Sequence, residues 1–142
     1  MTAWRMLLAA PHRGFFALGM VQGLWAMALW AADLGSRHFG FWSAHPWPLP
    51  NAWMHGLMLG YGVFSAFVFG FILTAGPRWR QQPEIPAGIY RPAMLLTAGG
   101  WLLADLWPFF PFCLPLGLAV AWGGWCWRSE ERRVGKECRS RW

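Results

Sequence analysis

The chain has 142 residues, of which 56% are hydrophobic and only 13% charged. Soluble domains carry about 25% charged residues, so composition argues against an ordinary soluble domain, and the clustering of charges between long apolar runs argues for a bilayer. The formal net charge is +6, but the basic residues flank apolar segments, a placement that sets membrane orientation; a nucleic-acid partner is not expected. Three cysteines, Cys113, Cys126 and Cys138, show no CxxC or Cys/His pairing, so neither a zinc site nor a disulfide framework follows from them.

At the N-terminus, Met6 to Ala10 is too short an apolar run for a cleaved signal, and Pro11-His12-Arg13 interrupts it. The first expected span covers about residues 14–34, with Gln22 and Asp33 as its polar members. Gly19 and Gly23 form a GxxxG pair that lets a neighbouring helix approach closely. A loop rich in Trp, Pro and His follows, in which Trp42 and Trp47, with Trp53 just beyond, suit the lipid–water boundary.

The second span, about 53–75, contains no acid, Lys or Arg. Gly56 and Gly60 are four apart, as are Gly62, Ala66 and Gly70, which predicts close helix packing. At about 100° per residue, His55, Leu59, Gly62 and Ala66 fall on one face. A polar connection over 76–91 leads to a third span at 92–110 and a fourth at 111–127, joined by a tight turn between Pro108 and Pro111. The alternative for 92–127 is one interrupted hairpin that does not fully cross.

The last fifteen residues, RSEERRVGKECRSRW, differ in composition from everything before them and hold six of the twelve Arg/Lys. They look like the in-frame translation of a common sequencing adapter, so 128–142 is expected to be a non-native tail and 1–127 a transmembrane helical fragment. Arg5, Arg13, Arg78, Arg80 and Arg91 lie on one side of the expected spans and Arg37 on the other, which places the N-terminus in the cytoplasm.

The four histidines are the plausible transition-metal or haem ligands. His12 lies at the inner end of span one, whereas His38, His45 and His55 cluster at or beyond the outer ends of spans one and two. A span of about 30 Å separates His12 from the others. His55 is the leading cofactor ligand, because ionisable groups within spans are costly and often functional; His45 and His38 could join it at one metal. The opposing reading of His55 is an interfacial histidine bonded to a loop carbonyl. Asp33 or Asp105 could accept its second imidazole N–H, although Asp33 reads more simply as a solvated helix-terminal acid. Met58 reads as packing.

The stretch WMHGLMLGYGVFSAFVFGFILTAGPRW (53–79) resembles the NnrS family of bacterial membrane proteins, in which a His-containing helix start leads through a Gly/Phe-rich span to a Leu-Thr-Ala-x-Pro-x-Trp string. Leu73-Thr74-Ala75-Gly76-Pro77-Arg78-Trp79 fits that string, and Pro11-His12-Arg13-Gly14-Phe15-Phe16 resembles the family's entry into its first span. The resemblance covers residues 11 to about 127. It implies an all-α inner-membrane protein of about twelve spans, of which this chain would supply about four, associated with haem and copper and with the response to nitric oxide. The commoner family pattern opens this helix with His-Ala-His-Glu-Met, whereas here it reads Trp53-Met54-His55-Gly56-Leu57. The first His and the Glu are missing, so any further ligand must come from the outer loop or from the remaining helices of the longer protein. The rival readings are a cofactor-free transporter or structural subunit, in which the glycines serve packing alone, and a quinone- or haem-handling redox subunit.

Overall fold

The computed structural model describes residues 3–40 and 49–139, with side chains over 5–40 and 49–126. His45, Trp42 and Trp47 lie outside the described residues. Helix α1 (Ala3–Leu7) leads into α2 (Pro11–Leu34), whose last turns widen into a π-helical segment, Gly35–Phe39. Helix α3 (Asn51–Leu57), a second π-helical segment (Met58–Phe64) and α4 (Ser65–Trp79) run on as one continuous rod. Helices α5 (Ala87–Ala104) and α6 (Cys113–Arg139) complete an all-helical chain, with no strand among the described residues.

Local chemistry explains these boundaries. Pro11 occupies the start of α2, where a missing N–H costs nothing. Gly40, at φ +64, ends the widened turn in a left-handed conformation that only glycine adopts cheaply. Two proline-based expectations shift. Helix α4 carries Pro77 in its last turn and continues to Trp79, while α5 starts at Ala87 and takes in Pro92. The connection therefore shrinks to 80–86. Helix α5 also ends at Ala104 and α6 begins at Cys113, so the link between them is longer than the Pro108–Pro111 turn.

Two rods are long and apolar enough to cross a membrane, Pro11–Phe39 and Asn51–Trp79, each of 29 residues. At 1.5 Å per residue each reaches about 43 Å, more than the ~30 Å of hydrocarbon. Only 22% and 28% of their most apolar windows are buried within the chain. The core helix of a soluble domain would be covered; these helices leave Leu24 75% and Phe64 68% exposed. Trp53 and Trp79, at opposite ends of the second rod, are also exposed, as interfacial anchors are. The apolar stretch of α6, Cys113–Cys126, is shorter.

The two rods pack antiparallel. Going up α2, His12 meets Thr74, Phe16 meets Phe67, Gly23 faces Val63, Trp30 meets His55 and Asp33 meets Asn51. Helix α5 runs back alongside α2, with Tyr90 and Met94 in one apolar cluster with Phe15 and Leu73, and Trp101 and Ala104 in another with Ala26, Met54 and Met58. The end of α5 reaches α2 at Gln22, which donates to Asp105 at 3.0 Å, so α5 stops before α2 does. Helices α5 and α6 meet most closely of all: a Cβ on Gly117 would lie 2.7 Å from the Cα of Ala104, and one on Gly124 2.8 Å from the carbonyl of Ala93.

The second rod corrects the helical-wheel face drawn for it. From Met54 to Gly70 its buried residues, Met54, Met58, Gly62, Ala66 and Gly70, repeat every four, before a step of three to Leu73. An ordinary helix at 3.6 residues per turn would drift off such a row. The π-helical turns of Met58–Phe64, which hold more residues each, cancel the drift. His55 therefore stands one position away from the fully buried row, half-buried.

Candidate functional site

The rim where α2 ends and α3 begins gathers a cluster of hydrogen-bonded polar groups around Asp33. Asp33 is buried, 6% exposed. Its carboxylate pairs with Arg37 one turn along and accepts from Asn51 Nδ2 at 2.7 Å, across the gap to α3. Ser36 Oγ donates to the carbonyl of Asp33 at 2.8 Å and so closes the same turn. A buried carboxylate is tolerated only when paired and hydrogen-bonded, and these contacts meet that demand. The expectation of a solvated helix-terminal acid fails for this reason: the chain folds back through Asn51 and covers it.

One turn below, the His55 ring stacks on Trp30, with centroids 4.4 Å apart and planes inclined by 26°. Among the described residues its ring is held by this stack rather than by a hydrogen bond, which leaves its nitrogens for a ligand. Asp105, the other expected acceptor for its N–H, takes its hydrogen bond from Gln22 instead. His38 is exposed in the widened turn. Among the described residues, no group of three His, Cys, Asp or Glu side chains converges as a metal cage would.

The expected packing glycines divide. A Cβ on Gly19 would press on Phe67, on Gly62 on Gln22 and on Gly70 on Phe16, each at 2.8–2.9 Å; Gly23 has Val63 at 3.7 Å and Ala66 is fully buried. Gly56 and Gly60 have no such neighbour within 4 Å among the described residues, so no packing partner is seen for them. Sequence reasoning missed Gln22 as a link between helices and the seam of α5 and α6. The seam was signalled by small residues at 93, 97, 100 and 104, alternately four and three apart, and by Gly117, Ala121 and Gly124 opposite. His12 sits at the far rim, its Nδ1 3.3 Å from Thr74 Oγ1.

An all-helical chain with two long, largely uncovered apolar rods and an imidazole at one rim belongs to the class of membrane-helix proteins. Within that class, a family model described as NnrS protein matches residues 6–134, and the chain belongs to the NnrS family. The match extends seven residues into the 128–142 segment, over which α6 also continues as far as Arg139. Neither the curated proteins nor the solved structures yield a match.

Proposed function

We propose that the chain forms the opening part of a multi-pass inner-membrane protein of the nitric oxide response, with the N-terminus cytoplasmic, and that His55 is the residue that would hold a haem. Family membership supports the link to nitric oxide. The observation that carries the ligand assignment is the half-buried His55 ring, oriented by Trp30 and without a hydrogen bond among the described residues. One imidazole suffices for haem iron, so the donor present fits. When bound, haem supplies an iron site for a diatomic gas. The chain's own part is to fix the imidazole plane through Trp30 and to exclude water with the apolar cluster around Met54 and Met58. Copper is a different matter. It needs several donors, and the described residues do not assemble them; His45, His38 and helices beyond this chain would have to contribute.

The test is a Soret band in the purified membrane protein. It is expected in the parent and in His38→Ala and lost in His55→Ala, with helix content unchanged. A colourless full-length protein after expression with added haem would refute the assignment. The competing cofactor-free reading draws on the packed glycines and predicts the reverse pattern: Gly62→Leu disrupts folding through Gln22, while His55→Ala has no effect.

A further inference from the structure

At the rim opposite His55, where α2 begins and α4 ends, two clefts share His12, Thr74 and Arg78 as a common wall. The first, about 340 Å³, is basic: Arg78, Arg91 and His12 line it against a single acid, Glu84. That acid neutralises little. It approaches Arg78 at 3.6 Å, with the two side chains 70% and 86% exposed, so solvent screens the pair and leaves the guanidinium free to meet another anion. Arg91 is oriented, since its Nε donates to the carbonyl of Leu8 at 3.2 Å, leaving its terminal nitrogens for another acceptor. Thr74 Oγ1 donates to Gly70 O at 2.9 Å, so its oxygen accepts from His12 Nδ1 and holds the imidazole at the cleft. The starts of α2 and α5 also open here, neither with a side-chain cap or an acid in its first turn, which adds to the positive potential. The second cleft, about 480 Å³, is lined by Phe16, Phe71, Ala75 and Trp79 and follows the α2–α4 groove towards mid-span.

We infer that these joined clefts bind an anionic phospholipid, its phosphate held by Arg78 and Arg91 beside His12 and one acyl chain lying along Phe16, Phe71 and Trp79. The amphipathic pairing carries the assignment: a free phosphate needs only the basic cleft, and an apolar molecule only the other. Basic pockets between membrane helices recognise anionic headgroups by this chemistry. The site is independent of the haem assignment, which concerns the other rim.

The test uses the full chain in uncharged detergent, titrated with phosphatidylglycerol, phosphatidylcholine or inorganic phosphate, with thermal stability as the readout. Phosphatidylglycerol is expected to stabilise at lower concentration than phosphatidylcholine. Arg78→Gln should raise the concentration needed about fivefold, the value of one guanidinium at an anionic surface. Glu84→Gln should lower it, and Arg5→Gln, off the cleft wall but equal in charge lost, should leave it unchanged. Glu84→Gln keeps the test decisive if Arg78→Gln misfolds. Equal response to both lipids, or identical behaviour of Arg78→Gln and Arg5→Gln, would overturn anion recognition. Stabilisation by inorganic phosphate equal to that by phosphatidylglycerol would overturn the lipid assignment.

Discussion

Asp33 shows how one residue changes meaning between sequence and fold. Read along the chain it ends an apolar helix next to a loop; in space it is the buried acceptor for Arg37 and Asn51. Its burial depends on a residue eighteen positions away, which no local pattern reveals. Removing its cation is therefore expensive. Arg37→Ala is expected to lower stability in detergent by about 2–3 kcal/mol, below most of the range for a fully buried pair because the Arg37 side chain is 45% exposed, while Asn51→Ala removes one hydrogen bond to a charged group and costs about 1.5–2 kcal/mol. Thermal melts of both variants, with helix content checked at low temperature, would measure the order. His55 was legible as a rim histidine because it stands alone in a span without charges. Its stacking partner Trp30 was not, because thirteen tryptophans give no sequence signal for choosing one.

At the scale of elements, apolar length identified the two long rods, and loop prolines misled at their ends. The sequence puts Pro77 in the connection and Pro92 at its edge, yet Pro77 sits in the last turn of α4 and Pro92 in the second turn of α5. Pro92, sixth in α5 and past the free first turn, forfeits a bond to the Gly88 carbonyl, as Pro77 in the last turn of α4 forfeits one to Leu73. The seam between α5 and α6 depends on glycine. Gly117→Val would drive a branched side chain into the backbone at Gly100 and Ala104 and is expected to separate the hairpin, at about 3 kcal/mol or more. Gly123, on the same helix, has no neighbour within 4 Å among the described residues, so Gly123→Ala should stabilise by up to about 1 kcal/mol through helix propensity. Proteolysis between residues 104 and 113 would report the first effect and thermal melting the second. Opposite signs on one helix separate packing from propensity.

At the scale of the whole molecule, composition placed the chain in lipid and family-like strings placed it among its relatives, because hydrocarbon constrains sequence more strongly than any local turn does. The placement of α5 against Gln22 was not legible, since a lone glutamine in a span reads only as a polar exception. The antiparallel register of the two rods has a further consequence. His12 and His55 stand at opposite ends of the same helix pair, so where that pair crosses the membrane of a sealed vesicle the two imidazoles open onto different compartments, whichever way up the protein inserts. A membrane-impermeant histidine reagent added from outside is expected to label either His12 or the rim of His38 and His55 in any given molecule, and both rims only once the vesicle is breached; labelling of both rims in intact vesicles would show that the rods do not cross. A helix pair that crosses in this register carries a built-in sidedness, with His12 marking one face and His38 and His55 the other.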